Sequence, residues 1–294
     1  MLLMDPHIHM TSRTTDDYQR MRAAGIVAVV EPSFWGGQSR NHVGSFEDYY
    51  LSIVGWERFR ASQFGIRHFC AIGLNPKEAN RPDLVDGVLA LMAAFLVKES
   101  VVAVGEIGFD EMTAAEEDAF VRQLDLAARF DLPAIVHLPH RDKKRGCERS
   151  LEIVRASALE PGRVIIDHCT EDTTPLVLDA GCWAAHSIYP HTKMDEARMV
   201  ALVKRHGPER MIVNSAADWG ISDPLKVPAT AAAMEAAGID GATIRTVLWD
   251  NPVAFFAQSG RFTPDELAEP LPVDQTMLYQ GNSVLRGQSP RVDA

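Results

Sequence analysis

Five short apolar runs in this chain each lead into a side chain that can hold a metal ion. Leu2–Asp5 runs into His7-Ile8-His9, and Val101–Val104 into Gly105-Glu106-Ile107-Gly108. Leu132–Val136 ends at His137, and Val164–Ile166 at Asp167-His168-Cys169. Met211–Val213 is followed a few residues later by Asp218. Any one of these alone reads most simply as a polar residue at a strand end. Five together are hard to obtain by chance, and a (β/α)8 TIM barrel is the architecture that gathers the carboxyl ends of its strands on one face.

The rest of the chain keeps that rhythm. Strands are expected at 3–9, 26–30, 67–74, from 101 to an end in Gly105-Glu106-Ile107-Gly108-Phe109-Asp110, 132–137, 164–166, 183–188 and 211–213, with long helices at 83–98, 113–131, 146–158, 193–206, 224–238 and 241–257. A short helix at 14–24 starts at Thr14/Thr15 and stops at Gly25, and Thr113 with Glu116 reads as a capping box. Strand alternation places Asp5, His7 and His9 on one side, with Pro6 marking where the first strand leaves the sheet. The 294 residues suit one barrel of about 250 residues plus a tail, giving a barrel over 1–260 and a tail over 261–294.

Two segments fall outside the pattern. Residues 33–65 form a long excursion, Gly- and Asn-rich over Ser33–Gly44 and helical over Phe46–Phe64. Its Phe34, Trp35, Tyr49, Tyr50 and Trp56 favour a lid over the barrel mouth or a subunit contact, which leaves a homo-oligomer open. The tail is punctuated by proline, but Leu271, Met277, Leu278, Tyr279, Val284 and Leu285 let it read equally as disordered or docked.

Charge and composition narrow the function. A net charge of −11 argues against a general nucleic-acid surface. The four cysteines show no Cys-x-x-Cys pairing and read as reduced thiols. The chain opens on a strand with no leader pattern, and no apolar run approaches the ~20 residues of a membrane span. The expectation is a cytoplasmic protein without a membrane partner.

Glu106 sits inside an apolar strand end with no lysine or arginine at a neighbouring strand end. An unpaired buried carboxylate costs several kcal/mol, so a cation nearby is the economical answer. His7, His9, Glu106, His137, His168 and Asp218 make six ligand-type groups, and one ion needs about four. Two divalent ions are therefore expected, with Glu106 placed to bridge them. Imidazole with carboxylate suits Zn²⁺ or Mn²⁺, and Mg²⁺, Fe²⁺ and Ni²⁺ stay open. On the substrate side, His140, Arg141, Lys143, Lys144, Arg145 and Arg149 crowd the loop after strand five. They suit a phosphate or carboxylate, and read equally as a solvated loop paired with surface acids. His186 and Trp219 are further candidates for substrate contact, although packing explains both. His42, His68, His191 and His206 read as structural or exposed.

These residues resemble the TatD family of metal-dependent hydrolases, within the amidohydrolase superfamily. The likeness rests on Asp5-x-His7-x-His9, Gly105-Glu106-Ile107-Gly108-Phe109-Asp110, Val136-His137, His168-Cys169, Asp218 and Asn251-Pro252 with Phe255-Phe256, and covers about residues 3–257. It implies that His7, His9 and Asp218 hold one ion, His137 and His168 the other, and that Glu106 joins both. A hydroxide bridging the ions would then attack the substrate, with Asp218 taking a proton and returning one to the leaving group. Three departures surround the ligands: Arg141-Asp142 displaced beyond Pro139-His140, Thr170-Glu171-Asp172 after Cys169, and Asn214-Ser215-Ala216-Ala217 before Asp218. They alter the pocket more than the ligands. The expected activity is thus hydrolysis of a phosphoester or other anionic small molecule, ahead of amide or lactone bonds. A 3′-5′ exonuclease acting on a DNA end and a non-catalytic metal-binding scaffold are the alternatives.

Overall fold

The computed structural model describes residues 1–273. Eight parallel strands form one sheet in sequential order: β1 Leu3–Asp5, β2 Ile26–Pro32, β3 Arg67–Ile72, β4 Val101–Gly108, β5 Ala134–His137, β6 Val164–Asp167, β7 Trp183–Ser187 and β8 Met211–Asn214. Between and after them run α1 Thr15–Ala23, α2 Val43–Leu51, α3 Glu57–Ser62, α4 Pro76–Ala79, α5 Pro82–Phe95, α6 Ala114–Arg129, α7 Lys143–Ala156, α8 Thr174–Asp179, α9 Glu196–His206, α10 Lys226–Ala236, α11 Gly241–Arg245, α12 Asn251–Ala257 and α13 Pro264–Ala268. This is the expected (β/α)8 barrel.

The seam between β8 and β1 is closed just beyond both strands. The N–H of Ala216 donates to the carbonyl of His7, and that of His9 to Ala217, each at 2.9 Å. Asp5 takes part with its side chain: Oδ1 accepts from the N–H of Ser215 at 3.2 Å and of His7 at 3.3 Å. The first strand is therefore shorter than the expected 3–9. Pro6 has no N–H for the ladder, so the regular strand stops at Asp5, and only beyond it does the N–H of Ile8 return to the carbonyl of Val30 at 3.1 Å. Asp5 faces the seam, apart from His7 and His9.

Alternation decides which side chains fill the barrel. Met4, Ala28, Ala71, Ile135, Ile165 and Ile212 belong to the inner core, small residues opposing large ones. Trp249, Phe255, Phe256, Phe262 and Leu267 pack into the same cluster and plug the end where the strands begin. Asn251 ties this plug to the start of β8, its Nδ2 donating at 2.7 Å to the carbonyls of Pro208 and Met211. Phe262 and Leu267 carry the core past residue 260, where the βα pattern stops. Met277, Leu278, Tyr279, Val284 and Leu285, on which the docked-tail reading turned, lie outside the described residues.

The excursion divides in two. Its helical part, α2 and α3 joined by a π turn at Ser52–Trp56, lies in the outer helix layer. There Phe46, Tyr50 and Ile53 pack with Val88, Met92 and Phe95 of α5. This half is ordinary barrel wall, and only 33–42 remains as a loop toward the mouth. Two helices differ from expectation for local reasons. A second π turn, Thr246–Asp250, interrupts 241–257. The six residues of α8 are too short to show a periodicity in sequence. At α6, Thr113 caps as expected, but the Glu116 carboxylate reaches further back, to the N–H groups of Asp110, Glu111 and Met112. Among the described residues no helix is long and apolar enough to cross a membrane.

Candidate metal centre

On β5 and β6 the inward phase carries one polar residue to the mouth. Ile135 points in on β5, so His137 does too; Ile165 points in on β6, so Asp167 follows. His168 comes next with φ of 59°, a left-handed conformation that costs a non-glycine residue about 1 kcal/mol. On β4 the flanking glycines admit close neighbours. A Cβ at Gly108, where φ is +117°, would stand 2.6 Å from the carbonyl oxygen of His137, and one at Gly105 would stand 2.8 Å from Cβ of Ile135. Gly-Glu-Ile-Gly thus lets β4 lie hard against β5 with Glu106 between.

Three imidazoles converge on one carboxylate oxygen. Oε1 of Glu106 is 3.1 Å from Nδ1 of His137, 3.3 Å from Nε2 of His168 and 3.6 Å from Nε2 of His7. His9 completes the group, its Nε2 at 3.0 Å from Nε2 of His7 and its ring stacked on Phe34 at 3.9 Å. Oε2 of Glu106 accepts from Nδ2 of Asn75 at 3.1 Å. The far sides of two rings are held as well: Nδ1 of His7 contacts Asp167, and Nδ1 of His168 lies 2.6 Å from Oγ of Ser187. Asp167 is itself fixed by the N–H of His168 at 2.6 Å and Nδ2 of Asn214 at 3.0 Å.

All of these groups are buried. Burial works to raise Glu106, but the imidazoles of His137 and His7 hold its carboxyl well below the usual range. Burial pulls His9 and His168 well below an ordinary imidazole. Burial also opposes charge on His7, yet Asp167 and Glu106 raise it.

The donor set fits a divalent cation. Ligand atoms of His7, Glu106 and His168 lie within 4.8 Å of one another. With Nδ1 of His7 and of His168 engaged outward, each Nε2 is left to present a lone pair inward, the arrangement a metal-binding histidine needs. Two imidazole nitrogens facing each other at 3.0 Å need a proton or a cation between them, and Nδ1 of His9 is buried without a partner.

Asp218 lies in the loop after β8, where neighbouring groups hold its carboxylate. Its Oδ1 accepts from the N–H of Gly220 at 2.8 Å and from the hydroxyl of Tyr189 at 3.2 Å. The inward position ending β8 belongs instead to Asn214, four residues earlier. His186 is turned away from the mouth, which corrects its assignment to the substrate side. Because Ala185 points inward, His186 points outward, fully buried, with Nε2 2.8 Å from Oγ1 of Thr174 and Nδ1 3.2 Å from the carbonyl of Ile212. Of the loop after β5, His140 and Arg141 line a cavity of about 640 Å³ with Lys77, Asp110 and Arg145, and Lys144 is exposed. The His140 ring is 5.9 Å from that of His137. Trp219 is half exposed and meets Trp35 edge-on at 5.9 Å, so the 33–42 loop touches the loop after β8.

Asn75, Asp167, Ser187 and Lys193 were missed in sequence. Asp167 and Ser187 end strands, a signal that was present. Lys193 belongs to the loop after β7 rather than to a strand end. A turn in which the N–H of Lys193 donates to the carbonyl of Tyr189 at 2.8 Å brings it back toward the mouth. There burial lowers its pKa while the carboxylates of Glu106, Asp167 and Asp218 raise it.

A parallel barrel with imidazoles grouped about a carboxylate at its carboxyl-end mouth defines the class of metal-dependent hydrolase barrels. Within that class the chain belongs to the family of TatD-related DNases, whose model matches residues 4–257. It is similar to an uncharacterized metal-dependent hydrolase of Methanocaldococcus jannaschii, 24% identical over 254 residues, covering 86% of this chain and 99% of that protein. It also resembles human deoxyribonuclease TATDN3, 27% identical over 149 residues, covering 46% of this chain and 51% of the human one. Among solved structures, a TatD-like protein from Archaeoglobus fulgidus superposes with a TM-score of 0.72 at 24% identity, covering 86% of this chain and 99% of that one.

Proposed function

We propose that this member of the family hydrolyses a phosphoester or similar anionic small molecule with two divalent ions, Zn²⁺ or Mn²⁺ foremost. The observation that carries the reading is the gathering of His7, His137 and His168 around one buried oxygen of Glu106. His7, His9, Glu106, His137 and His168 would hold the ions, with Asp218 joining from the rim. Ions so held would lower the pKa of a water and polarise the scissile oxygen. Asp167 and Ser187 orient His7 and His168, and Asn75 orients Glu106. Phe34 covers His9 and keeps water from its ring. Asp218 takes a proton from the attacking water and returns one to the leaving group.

The test is a panel of p-nitrophenyl phosphate, bis(p-nitrophenyl) phosphate, a lactone and single-stranded DNA, given to protein of measured metal content. Phosphoester turnover that needs metal, and falls at least ~100-fold in Glu106→Gln together with metal content, is expected. Shortening of DNA from an end, without small-ester turnover, would establish the exonuclease reading instead. A fully loaded protein inert on every substrate would be a scaffold.

A further inference from the structure

The imidazoles of the candidate centre are not all held in the same way. His7 and His168 are oriented through their outer nitrogens, by Asp167 and by Ser187. His9 is not. Its Nδ1 is buried with no hydrogen-bond partner, short of a weak approach to the carbonyl of Pro32, and its ring rests on Phe34. The direction of this imidazole is therefore set by the main chain that carries it. That main chain passes at once into a 3-10 turn, Met10–Ser12, where the N–H and the hydroxyl of Ser12 both return to the His9 carbonyl, at 3.1 and 2.6 Å.

One buried carboxylate grips the turn. Alternation with the inward Ala28 and Ala71 sends Glu31 of β2 and His68 of β3 outward, between the sheet and the helix layer. There Oε1 of Glu31 accepts from both the N–H and the hydroxyl of Thr11, at 2.9 and 2.8 Å, and Oε2 lies 2.8 Å from Nε2 of His68. Neither side chain of the pair is exposed. Arg60 of α3 takes hold on either side of Thr11, its Nη2 donating to the carbonyls of Met10 at 2.7 Å and Arg13 at 3.2 Å. Glu57 anchors Arg60 in turn at 3.1 Å. Burying a carboxylate costs several kcal/mol, and apolar residues of the same volume often fill such a space with no loss of stability. What the carboxylate adds is a fixed position for Thr11, two residues along from His9.

We propose that Glu31, backed by His68, is the positioning residue for His9. By holding the turn, Glu31 aims the His9 imidazole at that of His7 and so sets the affinity for an ion that the two rings would share. The consequence for the ion rests on the metal reading above; the aim of the ring does not. The test is a double-mutant cycle in the full chain, with Zn²⁺ affinity measured by chelator competition in the wild type, Glu31→Leu, His9→Ala and the double variant. Glu31→Leu nearly keeps the volume and removes the acceptor, and should bind Zn²⁺ at least ~10-fold less tightly than the wild type. Once His9 is alanine, the same change should add less than ~2-fold. Glu31→Gln, whose amide oxygen can still accept from Thr11, should recover most of the loss. A second readout needs no ion: in metal-free protein the ring nitrogen resonances of His9 should move in Glu31→Leu while those of His137 stay. Should Glu31→Leu fail to fold, Thr11→Val takes its place. It removes one of the two bonds at a half-buried residue, and should move the same ring and weaken Zn²⁺ at least ~3-fold. Unchanged affinity in Glu31→Leu, an equal loss in both His9 backgrounds, or an unmoved His9 ring each overturns the positioning role. A wild type that holds no ion removes the metal reading and leaves the ring shift to decide.

Discussion

Glu106 and His186 show how similar burial serves different ends. Glu106 is surrounded by groups that favour its charge; His186 has a hydroxyl and a carbonyl, and burial drops its pKa to about 4 from an ordinary 6.5. Its folded value is depressed, so between pH 6.5 and 4 the unfolded chain binds the extra proton. Stability from this residue is full above pH 6.5 and is lost as the pH falls toward 4, by on the order of 3 kcal/mol. Urea unfolding of His186→Gln should show a flatter acid limb than the wild type across that window. Parallel limbs would mean that His186 does not titrate as its surroundings require. The same residue shows a limit of sequence. β7 is buried on nearly its whole length, so hydrophobicity does not reveal which face His186 takes. The inward phase of His137 was equally hidden, and only the ladder sorts the two.

At the scale of elements, the 33–42 loop depends on one arginine. Arg40 donates from Nη1 to Glu78 at 2.7 Å and to the carbonyl of Phe34 at 3.0 Å, and its guanidinium lies 4.0 Å from the centre of the Tyr49 ring. Glu78 is buried, so Arg40→Ala leaves its carboxylate without the cation and should cost about 3 kcal/mol. Hydrogen exchange should speed at least ~10-fold over residues 33–42 while α2, held by its own apolar face, stays protected. Equal acceleration in α2 would show that loop and helix open as one unit. The aromatic residues made the excursion conspicuous in sequence, but composition did not divide it. Phe46, Tyr50 and Ile53 recur on one face because α5 packs there, whereas Phe34 and Trp35 meet His9 and Trp219 across the mouth.

For the molecule as a whole, the candidate site gathers groups from both ends of the chain, His7 through Asp218. A cation bound there stabilises only the closed barrel. At a thousandfold excess over Kd the gain is about 4 kcal/mol, or on the order of 10 °C in Tm for a domain this size. Thermal unfolding after chelator dialysis, with Zn²⁺ or Mn²⁺ then restored, should move by that amount and in that direction. Coincident midpoints would argue against a resident ion.

The architecture was legible in the chain because strands buried on both faces read as apolar runs, and their ends at Glu106, His137 and His168 are few enough to notice. The outer helices were legible because they alternate with solvent. Position across the barrel was not. Asn214 ends β8 and holds Asp167, the Nζ of Lys143 is buried while Lys144 beside it is exposed, and Lys193 returns through a turn. Adjacent residues of like chemistry are equivalent in a linear string. They become distinct only when strand register, helix phase and the close approach of β4 to β5 decide which of them the barrel mouth can admit.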